Sequence, residues 1–185
     1  MYDILEDQTS VSIILSKRGK LTLQDVVGSF DSTCPEELAH STIARLVKIM
    51  CRIHKSNVMH RNICPTAIGM APTDGYGGFK VIKMGGFDFA CCTLSCGPIP
   101  SSVLSDKKRA LMAPEIEAGL AHDASADVWS LGQLAYQLMS SEQSSQKPHY
   151  LIKGEPNAWL PEVTYESIDL VEAMVSQNPK DRPTM

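Results

Sequence analysis

The fold is constrained most by one nine-residue stretch, His60-Arg61-Asn62-Ile63-Cys64-Pro65-Thr66-Ala67-Ile68. Apolar residues at helical spacing precede it, from Pro35 to about His54. Two strand-like runs follow it, at residues 68–71 and 79–84, joined by a segment rich in turn-forming residues. The pattern therefore predicts a polar loop that connects a long helix to a pair of strands.

Two more segments, residues 127–139 and residues 165–176, carry apolar residues at helical spacing. The chain has 185 residues, and 43% of them are hydrophobic, which is enough to bury a core. A chain of this length is expected to form about one domain. We therefore expect a single α+β domain that is mainly helical.

The nine-residue stretch resembles the catalytic loop of protein kinases, which reads His-Arg-Asp-Leu/Ile-Lys-Pro-x-Asn-Ile. The Asp, Lys and Asn positions hold Asn62, Cys64 and Ala67. The resemblance implies that the loop's Asp accepts the proton of the substrate hydroxyl and that its Asn holds a magnesium ion. An amide is not a base at neutral pH, and Ala67 has no oxygen for a hard cation. Each such loss is worth on the order of 10²-fold in rate.

A second motif at residues 81–90 resembles the kinase strand that ends in Asp-Phe-Gly. With Phe87 aligned, the metal-binding Asp falls on Gly86 and the Gly falls on Asp88. On extended backbone, a shift of two positions moves a side chain well away from its original place. We therefore expect that Asp88 does not replace the missing carboxylate.

Three further motifs occur in the order that kinases show: residues 113–115 resemble Ala-Pro-Glu, residues 127–132 the start of the buried helix, and residues 178–184 the closing Asp-Pro-x-x-Arg-Pro-Thr. The resemblance implies that Glu115 pairs with Arg182 and that Asp127 accepts hydrogen bonds from catalytic-loop backbone. Breaking one side of such a buried pair costs about 3–5 kcal/mol, so its retention favours a kinase-like fold. The residues given a structural role are His60, Arg61, Phe87, Glu115, Asp127 and Arg182.

The resemblance also implies a domain organisation. Residues 1–185 read as a partial kinase-like domain, with residues 1–15 a hairpin remnant of the small lobe. Residues 16–20 read as the hinge, and residues 21–185 as the large C-terminal lobe without its last helix. Isolated hairpins are marginal in water, so we expect disorder up to about Leu15 or pairing of this segment with another chain.

Charge and hydropathy limit the partners. The net charge of −4 favours no nucleic-acid partner. No apolar run approaches the roughly 20 residues that span a bilayer, so no membrane partner is expected. The acidic first residues do not resemble a signal peptide, and we expect a cytoplasmic protein.

The six cysteines are expected to be free thiols, because the cytosol is reducing. Cys91, Cys92 and Cys96 cluster, but they lack the paired spacing of zinc modules, and His122 lies far along the chain. We therefore expect no metal and no other cofactor. The floor of the kinase nucleotide site corresponds to Gly69, which has no side chain for adenine, so tight Mg-ATP binding is not expected either.

The resemblance therefore predicts a catalytically inactive kinase-like domain, a pseudokinase rather than an enzyme, that binds a protein partner or acts as a scaffold. One alternative is an ATP-dependent serine/threonine kinase that acts by unusual means. Another is a truncated kinase gene product without a selected role. Within the superfamily, residues 58–61 and Gly85 resemble the NIMA-related serine/threonine kinases.

Overall fold

The computed structural model describes residues 3–6, 11–14, 20–30, 34–73, 79–93, 96–99, 111–140 and 159–185. The predicted hinge at residues 16–20 lies outside these ranges except for Lys20, and the predicted turn lies outside them at residues 74–78. No helix in the described ranges has both the length and the apolar character needed to cross a bilayer.

The first two strands are β1 (Asp3–Glu6) and β2 (Val11–Ile14). They pair antiparallel, with Asp3 opposite Ile14 and Glu6 opposite Val11. The two strands form a sheet of their own. The ladder agrees with the hairpin expected in residues 1–15, and the expected disorder of this hairpin or its pairing with another chain stays a prediction.

A three-stranded sheet has the order β3 (Leu21–Thr22), β5 (Ile68–Pro72) and β6 (Phe79–Met84). Both pairings are antiparallel, and a bulge lies between Gly69 and Met70 of β5. The prediction of two strands after the nine-residue stretch is confirmed, with β5 one residue longer than predicted. Helix α1 (Leu23–Val27) follows β3 directly and starts with a capping box between Thr22 and Asp25.

Helix α2 (Glu36–Lys55) confirms the long helix predicted before the loop. Two glutamates lie in its first turn and three basic residues in its last, which complements the helix dipole. It leads through a turn at Asn57, whose φ is 56°, into strand β4 (Val58–Met59). Strand β4 pairs antiparallel with β7 (Cys91–Cys92), so the entrance to the loop is tied to a later segment.

Three helices follow in the second half: α3 (Pro114–Glu117), α4 (Ser125–Met139) and α5 (Tyr165–Met174). The two longer ones confirm the predicted helices within two residues at each end. Almost every residue of α4 is buried, which is expected of a helix that is surrounded by other elements. Leu131, Leu134 and Leu138 of α4 pack with residues of α2, β5, β6 and α5 in one hydrophobic core.

Helices α4 and α5 are in close contact at Gly132. A Cβ atom added there would lie 2.8 Å from Met174 Cβ and 2.9 Å from Val175 Cγ1. Real Cβ atoms do not approach each other so closely, so the two helices pack at this distance because residue 132 has no side chain.

The end of the chain is joined to α3 by a buried ion pair. Arg182 donates two hydrogen bonds to the Glu115 carboxylate, Nη1 to Oε1 at 2.6 Å and Nη2 to Oε2 at 2.9 Å. Arg182 also donates to the carbonyl oxygens of Ser176 and Ser125, and its guanidinium lies 5.0 Å from the centre of the Trp129 ring. Arg182 is only 4% exposed, so both its charge and its donors are satisfied inside the protein.

We expect the substitution Gly132→Ala to lower the free energy of unfolding by about 1–3 kcal/mol, because the added methyl group forces α4 and α5 apart. Urea titration followed by circular dichroism measures this. Gln137→Ala, at a partly exposed position of the same helix, is the control and should change stability by less than about 0.5 kcal/mol. Equal losses of stability in Gly132→Ala and Gln137→Ala would show that α4 and α5 are not tightly packed at Gly132.

The Arg182→Met variant is expected to lose about 3–5 kcal/mol of stability, because it leaves the buried Glu115 carboxylate without its partner. Lys180→Met removes a positive charge from an exposed position two residues away and should cost little. The same unfolding titration compares the two variants. Similar stabilities for both would mean that the pair with Glu115 does not hold the end of the chain.

Candidate functional site

The buried carboxylate of Asp127 fixes the backbone of the nine-residue loop. Its Oδ2 accepts a hydrogen bond from the backbone N–H of His60 at 2.8 Å, and its Oδ1 accepts from the backbone N–H of Arg61 at 2.7 Å. The ring of His54, at the end of α2, lies 2.9 Å from Oδ2 through its Nε2. Asp127 is 0% exposed. The position of Asp127 in the first turn of α4 therefore determines where the loop begins.

Arg61 adopts a φ of 58°, in the left-handed region that non-glycine residues rarely occupy. Its side chain has three contacts: Nε donates to Phe89 O at 2.6 Å, Nη1 donates to Gly97 O at 2.7 Å, and Nη1 lies 3.4 Å from His122 Nε2. Such a backbone conformation persists when the surrounding contacts over-determine it. The backbone N–H of Arg61 donates to Asp127, and its guanidinium donates to Phe89 O and Gly97 O. These hydrogen bonds supply those contacts.

The ring of His60 joins two segments of the site. Nε2 lies 3.0 Å from Gly85 O, and Nδ1 lies 3.2 Å from the backbone nitrogen of Asn62. The carbonyl must be an acceptor and the backbone N–H must be a donor, so this geometry assigns a neutral ring with its proton on Nε2. Burial lowers the pKa of His60, which favours the same neutral form. The Phe87 ring packs at 4.5 Å between centroids.

Asn62 contacts the second motif directly. Its Nδ2 donates to Gly86 O at 3.0 Å and lies 3.4 Å from Asp88 Oδ2. Asp88 therefore contacts the loop, and the expectation that it does not replace the missing metal-binding carboxylate stays a prediction. That expectation assumed extended backbone, whereas residues Phe87–Phe89 form a 3-10 turn that brings Asp88 back beside Asn62.

Gly86 has a φ of 77°, and its position leaves no room for a side chain. A Cβ atom there would lie 2.9 Å from Ala67 Cβ and 3.2 Å from Asn62 Nδ2. The backbone is strained for any other residue and the space is filled by the loop. This arrangement is consistent with a site in which the carboxylate comes from position 88.

The positions that correspond to the Lys and Asn of the kinase loop have other contacts. Cys64 Sγ lies 3.3 Å from Thr66 Oγ1 and 3.9 Å from Asn62 Oδ1. Ala67 is buried, and its carbonyl accepts a hydrogen bond from the backbone N–H of Gly85 at 2.8 Å. A cavity about the size of one water molecule opens beside Asn62 and Cys64.

Kinases use magnesium ions, which bind oxygen ligands. The side chains of Ala67 and Gly86 carry no oxygen, and beside Asn62 the carboxylate comes from Asp88 alone among the residues of these two motifs. Within the described ranges, no group of three or more His, Cys, Asp or Glu side chains is arranged to hold a metal ion. The residues present therefore do not fit a pair of magnesium ions.

The cysteine cluster differs from its prediction in two ways. Cys91 and Cys96 form a disulfide with 5.6 Å between their Cα atoms, whereas free thiols were expected. His122, which is distant in sequence, lies with its Nε2 3.9 Å from Cys96 Sγ. The segment before α4 returns to the loop, and the spacing of residues along the chain gives no signal for such a contact. Cys34, Cys51, Cys64 and Cys92 are free thiols, as predicted.

We expect the free energy of unfolding to fall as the pH is lowered from 7 to 5.5 because of His60. Burial lowers the pKa of His60 in the folded state below its ordinary value of 6.5. The unfolded chain therefore binds the proton first, so this stabilisation is complete above pH 6.5 and is lost as the pH falls further. Urea titrations across this range measure it, and His60→Gln should flatten this part of the profile. An unchanged profile in that variant would contradict the assignment.

The sequence was compared with known proteins. The family model described as "Protein kinase domain" matches residues 1–185. The SNF-related serine/threonine-protein kinase of Rattus norvegicus is 25% identical over 198 residues, which cover 100% of this chain and 24% of that protein. CDPK-related kinase 1 of Arabidopsis thaliana is 25% identical over 194 residues, covering 99% of this chain and 32% of that protein. The chain thus spans a third or less of the length of these relatives.

These matches overturn the prediction that the chain is not an enzyme. That prediction rested on four positions, Asn62, Cys64, Ala67 and Gly86, whereas the family match extends over the whole chain and the relatives are serine/threonine kinases. Differences at single positions do not establish a loss of activity. The chain belongs to the protein kinase domain family.

Proposed function

We propose that this chain transfers phosphate to serine or threonine hydroxyls and that Asp88 supplies the carboxylate that the kinase loop carries at the position of Asn62. The observation that carries the proposal is the 3.4 Å distance between Asn62 Nδ2 and Asp88 Oδ2. It brings one carboxylate to the loop that Asp127 holds in place.

In this proposal Asp88 accepts the proton of the attacking hydroxyl. Geometry is the first requirement for a general base, and pKa the second. Asp88 is exposed, so an incoming hydroxyl can reach it. Asn62 acts as a positioning residue, because its amide nitrogen lies within reach of both the Gly86 carbonyl and the Asp88 carboxylate. The proposed proton transfer to Asp88 involves no residue that binds magnesium.

The reaction is slow and the nucleotide binds weakly in this proposal. Protein kinases typically turn over at about 1–100 per second, and the loop lacks the charge of the Lys and the ligand of the Asn. With each loss worth on the order of 10²-fold, we expect roughly 10⁻⁴ to 10⁻² turnovers per second. Ala67 and Gly86 contribute no metal ligand, so tight Mg-ATP binding is not expected and the assay requires millimolar ATP.

The finer assignments are part of the same proposal. The helices α2, α4 and α5 correspond to the large lobe of a kinase, and β1 and β2 to the last hairpin of the small lobe. The chain acts in the cytoplasm, where ATP is available, and binds neither nucleic acid nor membrane. A place among the NIMA-related kinases is supported by residues 58–61 and Gly85.

The Asp88→Asn variant is expected to lower the rate of phosphate transfer about 10²-fold, the usual contribution of a general base. Transfer from radiolabelled ATP to a mixture of serine and threonine peptides measures this. Asp169→Asn makes the same chemical change at an exposed position of α5 and should leave the rate unchanged. Equal rates for wild type and Asp88→Asn, or no transfer above the background without protein, would contradict the proposal.

A second proposed role is the binding of a protein partner, alone or as a scaffold alongside catalysis. The observation in its favour is the exposure of large apolar side chains, which amounts to 61% for Leu120, 84% for Tyr165 and 53% for Leu170. Exposed apolar patches often mark protein contacts, and two of these side chains, Tyr165 and Leu170, lie on the same helix, α5.

We expect a photo-crosslinking residue placed at Leu170 to form one defined protein adduct in cells, because a partner would cover this side chain. The same residue at Glu162, also exposed, is the control. The absence of an adduct from position 170, or the same adducts from both positions, would contradict a binding role for this face of α5.

A further inference from the structure

The disulfide between Cys91 and Cys96 lies inside a loop that Arg61 holds from both ends. Arg61 Nε donates to Phe89 O, two residues before Cys91, and Nη1 donates to Gly97 O, one residue after Cys96. The disulfide and the guanidinium therefore close the same segment independently. One closure is covalent and redox-dependent, and the other belongs to the residue that precedes Asn62 in the loop.

The start of the same segment is anchored to the entrance of the loop. Cys91 pairs with Met59 in the β4–β7 ladder, and the Thr93 backbone N–H donates to Asn57 O at 2.9 Å. Met59 directly precedes His60, so the conformation of this segment is coupled to the backbone that Asp127 fixes. Breaking the disulfide is therefore expected to change the backbone next to the candidate site.

The surroundings of Cys96 favour thiol chemistry. His122 Nδ1 lies 2.8 Å from Leu120 O, which accepts its proton, so Nε2 carries the lone pair. That Nε2 lies 3.9 Å from Cys96 Sγ and 3.4 Å from Arg61 Nη1. In the reduced state this lone pair can accept the proton of the Cys96 thiol, which favours the thiolate and makes Cys96 the better leaving group in exchange. Cys91 and Cys96 are both partly exposed, so a small thiol can reach them.

We propose that Cys91 and Cys96 form a reversible thiol–disulfide switch that controls how Arg61 holds Phe89 and Gly97. A thiol of the glutathione class attacks Cys91 Sγ, the S–S bond breaks, and Cys96 leaves as a thiolate. A second molecule of that thiol displaces Cys91 from the mixed disulfide. The external thiols lose two electrons and two protons and become a disulfide, while both cysteines become thiols. The oxidised form of the same thiol class reverses the steps.

In the oxidised state, the disulfide holds Phe89 O and Gly97 O close to the guanidinium. In the reduced state, Arg61 alone must hold the two ends, and the segment gains conformational freedom that weakens its hydrogen bonds. Disulfides of this kind in reducing compartments are typically transient and act as sensors. This inference does not depend on phosphate transfer, because each of its measurements reports on thiols or on backbone protection.

The test is a redox titration of the whole chain in mixtures of reduced and oxidised glutathione. At each ratio, free thiols are alkylated and located by mass spectrometry, and amide hydrogen exchange is measured on residues 89–97. We expect Cys91 and Cys96 to become alkylated together, as one two-electron couple. We expect the Thr93 amide to exchange on the order of tenfold faster after reduction, because the hydrogen bond to Asn57 O then opens more often.

Variants separate the switch from other effects. Cys92→Ser changes the exposed neighbouring thiol and should leave both the titration and the exchange rates as in wild type. Cys91→Ser should show the fast exchange of the reduced state at every glutathione ratio. If that variant does not fold, the reduced wild-type chain gives the same measurement without a substitution.

Four results would overturn the proposal. Full alkylation of Cys91 and Cys96 after equilibration in oxidised glutathione would mean that the disulfide does not form. Equal exchange at Thr93 in both states would mean that the disulfide does not control the segment. Loss of cooperative unfolding on reduction would make the disulfide a structural bond. Stoichiometric zinc bound by the reduced chain and lost in His122→Ala would make the cluster a metal site.

Discussion

The buried carboxylate of Asp127 is the constraint on which the rest of the site depends. It accepts hydrogen bonds from the backbone N–H groups of His60 and Arg61, and His54 contacts it from the end of α2. A buried carboxylate without partners costs several kcal/mol, so these contacts form together. They set the unusual backbone of Arg61, and through it the positions of Asn62, Phe89 and Gly97.

The chain keeps the groups that hold a kinase loop in place and changes the groups that react. Glu115 with Arg182, and Asp127 with the loop backbone, position one another across distances of more than 60 residues in the sequence. Asn62, Ala67 and Gly86 differ from the family pattern, and Asp88 approaches from a turn that the aligned motif does not predict. Because these retained contacts hold the loop in place, they also determine where a nearby carboxylate, such as that of Asp88, lies relative to Asn62.

The sequence predicted the helices at residues 36–55, 125–139 and 165–174 because apolar residues at helical spacing mark a buried face. It predicted the pairing of Glu115 with Arg182 through the resemblance to kinases. It did not predict the contact of Asp88 with Asn62, because a 3-10 turn replaced the extended backbone that was assumed. It also missed the contacts of His54 with Asp127 and of His122 with Cys96, because neither the spacing nor the composition of a chain encodes which distant segments meet.

Amide hydrogen exchange at His60 and Arg61, in wild type and in Asp127→Asn, tests the role of Asp127 most directly. The account predicts that both amides are strongly protected in the wild-type chain, because each donates to a fully buried carboxylate. It also predicts faster exchange in the variant, whose amide offers one oxygen in place of two. Wild-type amides that exchange as fast as those of an exposed loop, or equal protection in both proteins, would contradict it.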